Sequence, residues 1–263
     1  MSNSFVKEVL GHPATRNADI DAPATSMDRR HLIREKVFLR RLYADWYAKI
    51  KRSLPTDFAG PIVELGSGGG FLKEVVPNLI TSDVLMLSHI ELVLNGQDMP
   101  FRENSLKGII LIDVFHHIAG VDKFLAEAAR CLKPGGVVVM VEPWNSCWSR
   151  LIYKNFHHEP FDVETENWEI PSGGPLSQSN QALPWIVFER DLAIFGEEFH
   201  HLRLESVIPH TPFRYILSGG VSFRSLMPAY FFGVWSRLEE LIEPWMKYLA
   251  MFATITLVRT DSA

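Results

Sequence analysis

The chain has 263 residues, 47% of them hydrophobic and 22% charged, with a mean hydropathy of +0.03. That balance excludes a disordered chain, a coiled coil and a collagen-like fibre. Lys and Arg (26) against Asp and Glu (31) leave a formal charge of −5, which argues against nucleic acid as a partner.

Residues 1–28 are polar and broken by Gly11, Pro13 and Pro23, an irregular lead-in. Over 28–53, apolar residues recur every three or four positions with Arg and Lys between them, which predicts one amphipathic helix capped by Asp28. Its cluster Arg29, Arg30, Arg34, Arg40 and Arg41 reads either as a phosphate-binding face or as a solvated helix surface. From 60 to 143, short apolar runs alternate with helical segments. Strands are expected at 61–65, 78–83, 107–113 and 137–142, with helices at 71–76 and 121–132. This alternation argues a parallel sheet with helical crossovers. Residues 144–186 have weak periodicity, contain several glycines and prolines, and are too long for an ordinary connection, so a lid is expected there. A helix (188–199), a strand (202–209), a long aromatic helix (223–251, broken at Pro244) and a last strand (252–259) follow. One domain is expected: helical cap 1–55, binding core 56–143, lid 144–186 and sheet completion 187–263.

Cys131 and Cys147 are too few for a disulfide framework, and no Cys/His cluster suggests zinc or another metal. Residues 1–10 lack the apolar stretch of a secretory signal. The longest apolar run, 226–235, falls short of the ~18 residues of a spanning helix and holds Pro228 and Gly233. A cytoplasmic protein without stable membrane insertion is the expectation.

The strongest site signal is Val63-Glu64-Leu65-Gly66-Ser67-Gly68-Gly69-Gly70, between an expected strand and an expected helix. Gly66 suits the tight turn, and Gly68 and Gly70 let backbone approach a ligand. The spacing lacks the third glycine of nicotinamide-binding turns. Glu64 would attract an ammonium and repel a pyrophosphate. Asp83 closes the second strand, where a carboxylate can accept from ribose hydroxyls. Asp98 sits in a loop where it can accept from an adenine amino group, and Asp113 ends the next strand. Each acid alone is equally a cap or loop residue; the ordered set is harder to dismiss.

Together these residues resemble a class I S-adenosylmethionine-dependent methyltransferase of the type 11 kind. ELGSGGG (64–70), the strand end at Asp83, DMPF (98–101), DVFHHI (113–118) and LKPGG (132–136) match in order. The resemblance covers roughly 60–143. It implies a Rossmann-like, doubly wound, mostly parallel seven-stranded α/β sheet with an antiparallel last strand, and S-adenosyl-L-methionine as cofactor. Glu64, Gly66, Ser67, Gly68 and Gly70 would hold the methionine part and Asp83 the ribose. Asp98 with the Met99 backbone would hold the adenine, and Asp113 completes the cofactor set.

For a neutral oxygen acceptor a base is also needed, and His116, His117, His157 and His158 are the candidates, each equally readable as a packing or loop histidine. Aromatic residues crowd 144–185 and 223–248, suited to wall an apolar pocket or to fill core. The expected function is methyl transfer to a small or lipid- or sugar-linked acceptor. The alternatives are a non-catalytic ligand- or partner-binding protein on the same fold and an NAD-dependent oxidoreductase.

Overall fold

The computed structural model describes residues 11–13, 15, 18–157, 159–170 and 173–261, so His158 lies outside the described residues. Helices α1 (Pro23–Glu35) and α2 (Val37–Ser53) replace the single helix expected over 28–53. The break falls at Lys36, which carries neither glycine nor proline chemistry. Its Nζ instead donates to Gly220 O (2.5 Å) and Phe223 O (2.9 Å), anchoring the joint to a distant loop. Asp28 is not the cap: Pro23 starts α1 after extended Ala22.

Seven strands form one sheet in the order β3-β2-β1-β4-β5-β7-β6: β1 (Ile62–Leu65), β2 (Leu79–Asp83), β3 (Leu92–Val93), β4 (Leu106–Ile112), β5 (Leu132–Pro143), β6 (Leu202–His210) and β7 (Phe252–Arg259). The first five run parallel, and β7 is antiparallel to both neighbours. The expected fold class is therefore observed. Two-residue β3 was too short to expect, and the helix expected at 71–76 is a single tight turn, Leu72–Glu74.

Alternate residues of the central strands feed two cores, as in a parallel sheet covered on both faces. On one face, Ile62, Ile110, Val139 and Val141 pack with Phe38, Leu42, Trp46, Tyr47 and Ile50 of α2. On the other, Val63, Ile109, Leu111, Val138 and Met140 pack with Phe124, Leu125 and Ala128 of α3 (Val121–Cys131). Within the segment expected as a lid, α4 (Cys147–Phe156) forms because Ser146 and Ser149 cap it reciprocally. A helical turn at Leu183–Trp185 then leads through a π turn, Ile186–Arg190, into α5 (Leu192–Glu198). The long aromatic helix expected over 223–251 is absent. Leu226 and Met227 turn back to donate to Leu217 O, leaving α7 (Phe232–Leu241) and α8 (Met246–Leu249) after the short α6 (Arg214–Ser218). Among the described residues, no helix is long and apolar enough to cross a membrane.

The sheet order reverses between β1 and β4. Ligands of open α/β sheets bind in the crevice outside the carboxyl ends of the strands at such a point. The turn that opens this crevice starts at Gly66, with φ +64°, where an added Cβ would lie 2.4 Å from Val114 Cγ2. Left-handed strain (~1–2 kcal/mol) and overpacking (~1–3 kcal/mol) should therefore destabilise Gly66→Ala by about 2–5 kcal/mol. Urea unfolding reads this directly, and an unchanged midpoint would mean the turn relaxes freely.

Candidate active site

A cavity of 610 Å³ occupies this crevice, bounded by the β1 turn, the ends of β2 and β4, α1 and α2, and the segment after α4. Glu64, on β1, lines it and is nearly fully buried. Burial, reinforced by the charge of Asp83, pushes its carboxyl up to about 7 against the opposing pull of Ser67 and Arg30. Ser67 and Ser82 both donate through Oγ to Glu64 O (3.3 and 2.7 Å), pinning the strand end on which this acid sits.

Asp83 ends β2 facing the glycine turn. Its Oδ2 accepts from Gly68 N–H (3.1 Å) and its Oδ1 from Leu85 N–H (2.9 Å). Burial raises its pKa, and those N–H groups oppose the rise. An added Cβ at Gly68 would sit 3.2 Å from Asp83 Oδ2, and one at Gly70 would sit 3.0 Å from Tyr47 Oη and 3.5 Å from Glu64 Oε1. Backbone and carboxylates thus approach closely around a cradle that side chains would fill. Arg30 donates to Gly70 O, and Arg34 pairs with Glu74 (2.6 Å). Arg29 lines the cavity with a buried Nε that has no hydrogen-bond partner. The basic face of α1 is therefore partly committed to the glycine loop.

Two expected site residues are corrected. Asp98 is exposed and does not line the cavity. Its N–H donates to Asn95 O (3.0 Å) in a turn that presents Asn95, Gly96 and Gln97 to the crevice instead. Met99 is buried in the core, and its N–H donates to Glu127 Oε2 (2.8 Å), which Arg130 also holds. The sequence carries no local sign of that competition by Glu127.

Asp113 follows β4 directly, with φ +60°, and lines the cavity. Burial pushes its carboxyl up to about 7; the charges of Glu159 and Glu142 add to this, while those of His116 and Arg29 oppose it. Tyr43, Tyr153, Tyr215 and Phe252 wall the same region. Tyr153 is committed, its hydroxyl donating to Met251 O (2.6 Å).

The candidate histidines differ sharply. His116 is fully buried, with Nδ1 2.8 Å from Glu142 Oε2 and Nε2 3.4 Å from Glu159 Oε2. Burial alone would lower its pKa, but the hydrogen bond to Glu142 and the negative charges around it hold it well above the ordinary value. Glu142 is itself fixed, its Oε1 accepting from Val114 and Phe115 N–H (2.8 and 2.9 Å). His117 lines the cavity, and Gln178 O lies 2.9 Å from its Nδ1. Burial, together with the charge of His116, lowers its pKa to about 4. His157 also lines the cavity and meets Gln181 Nε2 at 3.0 Å, while Gln181 donates to Glu159 Oε2 (2.9 Å). Glu142 and Gln181 carried no sequence signal as site residues; they join the cluster through the end of β5 and the segment after α4.

Residues 63–140 match the family described as a methyltransferase domain. Over 49 residues the chain is 37% identical to demethylmenaquinone methyltransferases of Tropheryma whipplei strains Twist and TW08/27, a match covering 19% of this chain and 20% of each relative. The chain thus matches about a fifth of the length of these curated relatives. Among solved structures, it resembles the geranyl diphosphate C-methyltransferase of Streptomyces coelicolor A3(2), crystallised with Mg2+, geranyl diphosphate and S-adenosyl-L-homocysteine. The TM-score is 0.50 at 15% identity, over 88% of this chain and 83% of that one. It resembles the [4+2]-cyclase SpnF with a TM-score of 0.51 at 13% identity, over 83% and 81% of the two chains. At these identities the likeness is one of fold.

Proposed function

With a class I, S-adenosylmethionine-dependent methyltransferase core as the premise, we propose that the chain transfers a methyl group to a small-molecule or lipid- or sugar-linked acceptor that lies beside Asp113. The observation that carries this reading is the placement of two buried carboxylates, Glu64 and Asp83, either side of a glycine turn on the cavity at the sheet's switch point. That donor set fits the cofactor's ammonium and ribose hydroxyls, and Glu64 disfavours a pyrophosphate there. When bound, S-adenosylmethionine supplies an electrophilic methyl on a sulfonium.

The chain's own part is alignment, exclusion of water and management of one proton. Glu64 holds the positive end of the cofactor, Asp83 accepts from the ribose, and Asn95, Gly96 and Gln97 border the place left for the base. Tyr43, Tyr215 and Phe252 wall the remaining space, which favours an acceptor with an apolar body. A demethylmenaquinone methyltransferase and a geranyl diphosphate C-methyltransferase among the relatives point the same way, to small-molecule acceptors. Asp113, near half-ionised at neutral pH, takes the proton of a hydroxyl acceptor.

Calorimetric titration with S-adenosylhomocysteine and, separately, NAD tests the cofactor. Only the first should bind, and saturable NAD binding would favour the oxidoreductase reading. In Asp83→Ala the ribose hydroxyls lose a charged acceptor worth ~1.5–3 kcal/mol, so S-adenosylhomocysteine affinity should fall roughly ten- to hundredfold. Unchanged affinity in the folded variant would remove Asp83 from the site.

A further inference from the structure

We propose that His116 Nε2, His117 Nε2 and a Glu159 carboxylate oxygen form a three-ligand site for a borderline divalent cation of the Zn2+ kind, with its open position toward the cavity. One ligand atom from each of the three residues lies within 4.8 Å of the others, although the sequence separates Glu159 from the histidine pair. Nothing in the methyl-transfer reading requires the site, so the two stand or fall separately.

Both imidazoles are oriented as metal-binding histidines are. Gln178 O can only accept, so His117 Nδ1 carries the proton in that 2.9 Å contact and leaves the lone pair on Nε2. Glu142 Oε2 performs the same service for His116 Nδ1 at 2.8 Å, and Glu142 is immobilised by the Val114 and Phe115 N–H groups. An outer oxygen on Nδ1 with Nε2 turned inward is the usual second layer of a histidine–metal site.

A second, independent observation points to a ligand. His116 is 0% exposed, and its Nε2 has no hydrogen-bond partner. That nitrogen and the carboxylate are held 3.4 Å apart by charge without a formed hydrogen bond, and a cation between the two would displace the Nε2 proton and bond to both. The 3.4 Å between His116 Nε2 and Glu159 Oε2 matches the ~3.3 Å between two ligands of a tetrahedral zinc with bonds of ~2.0–2.1 Å. Two imidazoles and one carboxylate are also the donor set of three-ligand zinc sites that keep a position open. His117 and Glu159 border the cavity while His116 lies behind them, so the open position faces the space assigned to the acceptor.

The experiment uses the full chain, stripped with a chelator, dialysed and titrated with Zn2+ by calorimetry. A parallel titration with Co2+ reports coordination through its visible absorption. One ion per chain is expected. His117→Ala and Glu159→Gln should each weaken Zn2+ binding at least a hundredfold, and Glu142→Gln tenfold to a hundredfold through the outer contact. His200→Ala with His201→Ala, on the surface pair, should change nothing. Because buried-site variants can unfold, the imidazole proton resonances of wild-type protein are followed as well, and those of His116 and His117 should shift first on adding Zn2+. No saturable uptake, uptake unchanged in folded variants, uptake lost with the His200/His201 pair, or shifts confined to other histidines would each overturn the proposal.

Discussion

Glu64→Gln is expected to trade cofactor binding for stability, in opposite directions and with a clear pH signature. The Glu64 carboxyl sits at about 7 in the folded chain against 4.5 ordinarily. Below about pH 4 both folded and unfolded chains keep its proton, and burial costs nothing. Between about 4 and 7 the folded state still holds a proton that the unfolded state has released. Fewer protons on the unfolded chain mean that stability falls as pH rises through this window. Above about 7 the full cost, roughly 3 kcal/mol, is present, and because Glu64 is 3% exposed solvent screens little of it. Glutamine removes that cost, so the variant without cofactor should unfold at higher urea than wild type at pH 8 and at the same urea at pH 4. Cofactor affinity should move the other way. An ammonium beside Glu64 favours the carboxylate, so wild-type S-adenosylhomocysteine binding should strengthen toward pH 8, by up to about tenfold per pH unit well below 7. Leaving that ammonium without its buried partner costs ~3–5 kcal/mol, roughly a hundred- to several-thousandfold in affinity at pH 8, and the pH dependence disappears. Equal stability at both pH values, or unaltered affinity, would show that Glu64 faces something other than a cation.

The parts legible in the sequence were those fixed by neighbours in the chain. Strand β1 and its turn announce themselves because an apolar run meets glycines that the left-handed φ at Gly66 and the close approach at Gly68 demand. The run at 137–141 in β5 is apolar on both faces, as a covered sheet requires. What could not be read depends on distant contacts. The break between α1 and α2 is made by the carbonyls of Gly220 and Phe223. The aromatic run after Phe223 has helical spacing, but Leu217 O draws Leu226 and Met227 into a turn before Pro228. Asp98 has the right type and place in the motif order, yet one turn at Asn95 leaves it in solvent. His116 and His117 were legible as candidates. Their division of labour was not, because Glu142, Glu159 and Gln178 reach them from other segments.

That division of labour sets the expectation for Asp113. His116 is enclosed between two glutamates, and His117 is too weak a base at about 4 to hold a proton at neutral pH. Asp113 lines the cavity with a carboxyl near 7, and Glu64, the other such carboxyl, is assigned to the cofactor's ammonium. Asparagine is the informative replacement, since Asn tolerates the left-handed φ of +60° that Asp113 adopts and keeps its shape. If Asp113 takes the acceptor's proton, Asp113→Asn should lower methyl transfer to a hydroxyl acceptor by about 10²- to 10⁴-fold. S-adenosylhomocysteine affinity should stay within a few-fold of wild type. The wild-type rate should rise with pH through about 7 as the carboxylate forms, and the variant should lose that limb. The outcome separates Asp113 from a purely cofactor-holding role, in which affinity would fall together with rate. Transfer at the wild-type rate in a folded Asp113→Asn protein would mean that the acceptor needs no base at the end of β4. A nitrogen or carbon nucleophile that sheds its proton after the methyl has moved would then be the acceptor to test next.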